Sequence, residues 1–309
     1  MNSTFNWPTA PLKLQALIDA GATAFARHQL YFGHGTANAW DEALWLCLHV
    51  LQLPWSVDAQ VLQQKLAAAQ INSITRLFER RIIERIPAAY LTERGYFGGL
   101  EFIVSPDVLV PRSPIAEIIA NHFQPWLTSP PSRILDLCTG SACIGIACAY
   151  AFPDAKIDCT DISEAALIIA NRNITRHHVH DRVTAFYSDV FAAVNTRYDL
   201  IVSNPPYVDA DDMAAMPAEY RAEPVLGLAA GIDGLTVCRQ ILATAENFLN
   251  DNGCLIVEVG NSWHALEHAY PQVPFTWVEF EHGGDGVFVL SANELKRYAP
   301  YFRGDDILS

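Results

Sequence analysis

Basic residues are scarce in this chain: its 309 residues carry 20 Lys and Arg against 34 Asp and Glu, a formal charge of −14. A protein that grips duplex nucleic acid through its phosphates needs a basic surface, and the densest basic pair here is Arg80-Arg81. The balance counts against broad nucleic-acid binding and suits a basic protein partner, while still allowing a local basic groove. Long apolar runs are missing too. The longest, from Ala43 to Trp55, is broken by His49, Gln52 and Pro54, too short and too polar to span a membrane. The opening Met1-Asn2-Ser3-Thr4-Phe5-Asn6 has no basic stretch leading into an apolar one, so no signal peptide is expected. Paired C-x-x-C spacing is also absent. The seven cysteines, at 47, 138, 143, 148, 159, 238 and 254, lie mostly in apolar surroundings. They read as reduced core residues of a cytoplasmic protein without a structural metal.

What is present is core-forming material: 51% of residues are hydrophobic and 17% charged. At this length two domains are expected. From about Leu12 to Ile86 apolar residues recur at helical spacing: Leu14, Leu17, Ile18 and Phe25, then Leu44, Leu48 and Leu51, then Ile71, Ile74, Phe78, Ile82 and Ile86. Gly33-His34-Gly35 and Leu53-Pro54 separate these helices, and Pro87 stops the last. The aromatic and β-branched stretch from Gly95 to Val104, around Gly98-Gly99, predicts a hairpin. The expected division is a helical domain over 1–92, a hairpin linker over 93–110 and a larger domain over 111–309.

That larger domain opens with a helix from Ile115 to Phe123 and a loop at 128–132. From Arg133 the period changes. Strand-like runs at 134–137, 156–160, 183–187, 200–202, 254–258, 275–280 and 286–290 alternate with helical stretches such as 163–174 and 234–248. This βαβ rhythm predicts an α/β fold with a parallel, doubly wound sheet. Only His282-Gly283-Gly284-Asp285 joins the last two strands, too short for a helical crossover, so they pair antiparallel or leave the sheet.

The ends of the first four strands carry the chemistry. Asp136-Leu137-Cys138-Thr139-Gly140-Ser141 follows the first, where open α/β sheets bind ligands, and Gly140 lets backbone approach closely. The spacing is not the G-x-G-x-x-G fingerprint, because Ala142 stands where a second glycine is expected, which counts against a pyrophosphate. Asp136 suits a cationic ligand group. Asp161, followed by Ile162, ends the second strand, where a carboxylate accepts ribose hydroxyls. Ser188-Asp189-Val190-Phe191 ends the third: Asp189 can accept from an adenine amine, with Phe191 as an apolar wall. Each Asp alone reads more readily as a helix N-cap; the succession argues for a ligand edge.

Asn204-Pro205-Pro206-Tyr207 ends the fourth strand. Asn204 offers an amide acceptor and donor. The prolines fix φ and remove two N–H donors, and Tyr207 adds an aromatic face. Asn-Pro and Pro-Pro are also ordinary turn punctuation. In this setting the tetrapeptide predicts a pocket rich in acceptors for a flat NH2 group.

With these residues the chain resembles class I S-adenosylmethionine-dependent methyltransferases bearing an Asn-Pro-Pro-Tyr signature, and more closely the protein-glutamine N5-methyltransferases. Val110-Pro111-Arg112 and Arg85-Ile86-Pro87-Ala88-Ala89-Tyr90-Leu91 are similar to that group. The resemblance spans roughly residues 10–291. It implies a seven-stranded Rossmann-like catalytic sheet, an N-terminal helical domain for substrate recognition and S-adenosylmethionine as cofactor. Asp136, Cys138, Thr139, Gly140, Ser141, Asp161, Ile162, Asp189, Val190 and Asn204 would contact the cofactor. Asn204, Pro205, Pro206 and Tyr207 would be catalytic, with Asn204, Pro205, Tyr207 and Arg112 on the substrate. Arg112 reads alternatively as a linker anchor or a surface ion pair. Of two branches, one acts on peptide-chain release factors, the other on a glutamine of large-subunit ribosomal protein L-three. Ser113-Pro114-Ile115-Ala116-Glu117, Cys138, Pro217-Ala218-Glu219-Tyr220-Arg221 and the run from Leu228 to Leu235 resemble the second. The implied partner is therefore a basic ribosomal protein, with release factors as the alternative and nucleic acid not required. Ala142 and Ala222 depart from the pattern. Glu258 ends the fifth strand and reads as a structural acceptor.

Two rivals remain: an exocyclic-amino nucleic-acid methyltransferase, disfavoured by the charge, and a non-enzymatic binding module on the same fold. His177, His178 and His180, and the pair His264 and His268, read as solvated helix positions rather than metal ligands.

Overall fold

In a computed structural model that describes residues 5–304, the chain divides into two compact units. One runs to Gly95 and takes in Pro217–Ala222; the other holds Tyr96–Met216 and resumes at Glu223.

The first unit is helical, as its spacing predicts. Helices α1 (Leu14–Arg27), α2 (Ala39–Leu51) and α3 (Ala68–Glu84) bury Leu14, Leu17, Ile18, Phe25, Leu44, Leu48, Ile71, Ile74, Phe78 and Ile82. Phe25 and Phe78 meet edge to face at 5.2 Å. Asn38 caps α2 by accepting from the Asp41 N–H. Arg85 ends α3 in the left-handed conformation, two residues before Pro87. Besides helices, Leu12–Lys13 and Lys65–Leu66 form a short antiparallel pair. Fully buried Arg81 lies at the centre of the unit. Its Nε donates to Glu42 (2.6 Å), its Nη1 to Glu219 (3.3 Å) and its Nη2 to the Tyr31 carbonyl (2.8 Å).

The hairpin pairs β1 (Arg94–Phe97) with β2 (Leu100–Ile103). Gly98 and Gly99 both have positive φ, +55° and +78°, as a two-residue turn matching strand twist requires.

The second unit is built on a seven-stranded sheet. Its strands are β3 (Arg133–Leu137), β4 (Lys156–Asp161), β5 (Val183–Tyr187), β6 (Tyr198–Ser203), β7 (Leu249–Glu258), β8 (Thr276–Trp277) and β9 (Val287–Ser291), ordered β8-β9-β7-β6-β3-β4-β5. The five from β3 to β7 run parallel; β9 is antiparallel to both β7 and β8, so the short connection at 282–285 does produce an antiparallel pair. The aromatic run at 275–280 keeps only two residues in β8. Successive strand residues face opposite layers. Ile134, Leu200, Val202 and Ile256 join Ile115, Ile118 and Phe152 on one side. Leu135, Ile201, Leu255 and Val257 join Ile241, Leu295 and Phe302 on the other. Coverage on both faces explains why the strands read as unbroken apolar runs.

The chain winds outward from β3 through β4 to β5, then returns to start β6 on the other side of β3. The strand order therefore reverses between β3 and β6, and in open α/β sheets ligands bind beyond the carboxyl ends of the strands at such a point. A terminal helix, Ala292–Arg303, follows β9 and lies beyond the elements expected from periodicity. Its signal was legible as Ser291 and Glu294, which form a reciprocal capping box.

Candidate active site

The loop after β3 and the tetrapeptide after β6 flank the reversal point. Asp136 is fully buried. Its Oδ2 accepts from the Thr139 hydroxyl and from the Gly145 N–H at 2.9 Å. Its Oδ1 is buried with no hydrogen-bond partner among the described residues. Burial pushes its pKa up to about 7; the bonds from Thr139 and Gly145 hold it back, and Asp161 adds a smaller upward push. A buried carboxylate oxygen without a partner costs roughly 1–3 kcal/mol or more, and none of the described residues supplies one here.

The loop between Asp136 and the helix Cys143–Ala151 is strained in the way a close-approach loop requires. Cys138, Gly140 and Ala142 all have positive φ, +57°, +55° and +62°. A side chain added at Gly140 would meet nothing within 4 Å, so the space beside its backbone is open. Ala142, the departure from the expected glycine, holds a left-handed conformation costing about 1–2 kcal/mol. Burial of its methyl, worth about 0.8 kcal/mol, offsets part of that.

Asp161 binds this loop to the next strand: Oδ2 accepts the Gly140 N–H and Oδ1 the Ser163 N–H, each at 2.9 Å. Burial raises its pKa, and these bonds together with that of Ile162 oppose the rise. Each oxygen keeps a second lone pair for a ligand hydroxyl. Ile162, beside it, is exposed. After β5, Ser188 is buried, donating to the Val190 carbonyl and accepting from the Ala193 N–H. This turn holds Val190 at φ +46°, rare for a β-branched residue, and leaves Asp189 exposed. Phe191 differs from the expectation of an apolar ligand wall. It is buried and stacked on Phe248 at 4.7 Å within the core, because the turn at Val190 sends the next side chain under the sheet.

After β6, the Ser203 hydroxyl donates to the Leu137 carbonyl (2.8 Å), which fixes the tetrapeptide's strand against the loop's strand. Asn204 Oδ1 is buried and has no hydrogen-bond partner among the described residues. Pro205 is buried. Tyr207 is half-buried; its hydroxyl donates to Glu258 Oε1 at 2.9 Å, and its carbonyl accepts from the Ser262 hydroxyl at 2.7 Å. Glu258, at the end of β7, also accepts from the Ser113 hydroxyl at 2.5 Å. Burial raises the Glu258 pKa, opposed by its bonds from Ser113 and Tyr207 and by the charge of Arg112, with Asp285 adding to the rise. The structure thus brings together the two loops and the strand ends of β3, β4 and β6. Arg112 lies elsewhere in its bonding: both terminal nitrogens fork onto buried Glu223, at 2.5 and 2.7 Å, a geometry in which planarity is used in full.

Two of the histidines, His177 and His264, make packing contacts. His177 Nε2 donates to the Glu101 carbonyl at 3.0 Å and Nδ1 accepts from the Tyr150 hydroxyl at 3.2 Å. His264 stacks on Trp263. Among the described residues no group of three or more His, Cys, Asp or Glu side chains is arranged to hold a metal ion, and no helix is long and apolar enough to cross a membrane.

Residues 116–219 match the family described as the Methyltransferase small domain, a span that contains all four strand-end stations. The chain is 44% identical over 279 residues to the ribosomal protein uL3 glutamine methyltransferase of Francisella tularensis subsp. tularensis, covering 89% of each chain. It is 47% identical over 285 residues to the protein of the same name from Neisseria gonorrhoeae, covering 91% of this chain and 95% of that one. Among solved structures, the hMettl16 catalytic domain in complex with a 3'UTR hairpin superposes with a TM-score of 0.51 at 14% identity, over 77% of this chain and 87% of that chain. That likeness is one of fold.

Proposed function

The chain belongs to the family of ribosomal protein uL3 glutamine methyltransferases, and on that premise we propose how its own residues carry the reaction. The enzyme transfers a methyl group to the side-chain amide nitrogen of a glutamine in ribosomal protein uL3, with S-adenosylmethionine as the donor. The cofactor supplies an electrophilic methyl on a sulfonium sulfur. The residues that would hold it fit its chemistry. Asp136 offers an unpartnered buried oxygen to a cationic group, Gly140 an open backbone, Asp161 the remaining lone pairs of both its oxygens to ribose hydroxyls, and Asp189 and Val190 an acceptor and an apolar edge at the end of β5. Cys138, Thr139, Ser141 and Ile162 complete the loop surfaces around these groups.

An amide nitrogen is a weak nucleophile because its lone pair is delocalised into the carbonyl. The chain's task is to aim that nitrogen and stabilise the positive charge it develops. Asn204 Oδ1 accepts one amide N–H and the Pro205 carbonyl accepts the other, which orients the lone pair and favours pyramidalisation. Pro206 keeps the segment free of a competing N–H. Tyr207 covers the amide plane and excludes water. The N–C bond would form as the methyl–sulfur bond breaks, with the electron pair leaving on a neutral thioether, and the methylated nitrogen would then lose its extra proton to solvent, so no strong base is required. Alignment of this kind contributes up to about 7–11 kcal/mol in well-oriented systems.

The observation that carries the reading is the buried, unpartnered Asn204 Oδ1 beside the reversal point of the sheet. Arg112, paired with Glu223, supports the reading of a residue that fixes the segment leading into Ser113. The test is Asn204→Ala in a methyl-transfer assay on uL3. By analogy with loss of one aimed polar group, kcat falls about 10²–10³-fold; near-normal turnover sinks the assignment. A parallel reaction on a release factor, expected to run far more slowly, tests the choice of substrate.

A further inference from the structure

Tyr207 is held at three separate points by the last residue of β7 and the segment that leaves it. Its hydroxyl donates to Glu258. Its carbonyl accepts from Ser262. Its ring lies on Gly260, where an added Cβ would sit 2.5 Å from the ring. Glu258 is itself buried at 4% exposure and shares its other oxygen with Ser113. Ser113 in turn accepts from the Ile115 N–H at 3.2 Å, at the start of the helix Ile115–Ala120. One carboxylate therefore connects the aromatic residue of the tetrapeptide to the segment that follows Arg112. Placing a carboxylate in this buried position is costly, and stability alone does not call for it. An apolar residue of similar volume would fill the space without that cost, provided Tyr207 and Ser113 had no hydroxyls to satisfy.

We propose that Glu258 is a positioning residue for methyl transfer: with Ser113 behind it, it fixes the Tyr207 ring as the wall against which the substrate amide is aligned. The inference rests on the reading of Asn204–Tyr207 as the amide site. Glu258 touches neither the reacting nitrogen nor the methyl; it acts through the Tyr207 hydroxyl. Its loss frees the ring to rotate and lowers the fraction of bound substrate in the aligned pose. That signature is a fall in kcat with little change in cofactor binding.

The experiment uses the full chain with S-adenosylmethionine and uL3. Glu258→Ala is expected to lower kcat about 10- to 100-fold, with S-adenosylmethionine affinity by calorimetry unchanged. Glu258→Gln keeps an acceptor for Tyr207 and gains a donor toward Ser113, so it recovers most of the loss. Tyr207→Phe should match Glu258→Ala, and the double variant should be no slower than the slower single, because both cut one connection. Ser113→Ala with Tyr207→Phe repeats the cycle without opening a cavity, and there too the losses should fall short of multiplying. Normal kcat in Glu258→Ala overturns the proposal, as do losses that multiply in the double variants. So does equal damage in the Ala and Gln variants accompanied by weakened cofactor binding. Asn204→Ala separates the two readings: if it is slow while Glu258→Ala is normal, only the positioning role falls; if it is normal, the amide site itself is elsewhere.

Discussion

Asp136 is the residue at which protonation would meet the proposed cofactor binding. Its folded pKa of about 7 lies above its ordinary value of 3.8, chiefly through burial. Between those values the folded chain holds a proton that the unfolded chain has lost. Asp136 therefore takes stability away as pH rises from about 4 to about 7. A cationic ligand group favours the carboxylate, so cofactor affinity should improve over the same window and level off above it. Calorimetry across this range checks both signs. Asp136→Asn should flatten the affinity profile, and its melting temperature should gain on the parent as pH rises. Ala142 is a second residue whose effects can be weighed. Relief of about 1–2 kcal/mol of left-handed strain in Ala142→Gly is set against the lost methyl burial of about 0.8 kcal/mol. A urea melt should show a gain of no more than about 1 kcal/mol. At this scale the strand-end residues were legible because each stands where an apolar run stops. Phe191 lies in the core rather than at the ligand edge, since nothing local announces the left-handed turn at Val190 that sends it there.

Among elements, the first unit is fastened by charge as well as by its apolar stripes. Arg81, on the buried face of α3, joins Glu42 of α2 to Glu219 of the segment Pro217–Ala222. Arg85 reaches the same Glu219 oxygen at 3.2 Å. Removing one partner of a buried ion pair leaves the others uncompensated, which costs about 3–5 kcal/mol. Arg81→Ala should accordingly destabilise the chain by that order in a denaturant melt, whereas Arg80→Ala, whose i,i+4 partner Glu84 is similarly exposed, should change it by less than about 0.5 kcal/mol. In sequence Arg80 and Arg81 look alike; a one-residue step of about 100° around the helix separates solvent from core. The helices themselves, the hairpin and the parallel strands followed from periodicity and turn glycines. The terminal helix has a local signal as well, in the capping box of Ser291 and Glu294.

For the molecule as a whole, the charge of −14 would attract a basic substrate across distances longer than any contact. Raising ionic strength from about 0.1 M to about 1 M shortens the screening length from about 10 Å to about 3 Å. The KM for uL3 should rise several-fold over that range while kcat holds nearly constant; a salt-independent KM would remove long-range attraction from the account. The amino-acid sequence by itself determined the layered α/β architecture, the helical first unit and which residue types stand at the strand ends, because period, apolar length and turn chemistry are local properties. The tertiary structure decided the strand order that brings the Asp136 loop beside Asn204, the carboxylate that holds Tyr207 and the partners of Arg81. Those pairings join residues 51 and 145 positions apart, for Glu258 with Tyr207 and Ser113, and 138 apart for Arg81 with Glu219. A polar contact at such separation leaves no periodic trace in the chain; only burial, where an unpaired group is costly, selects it.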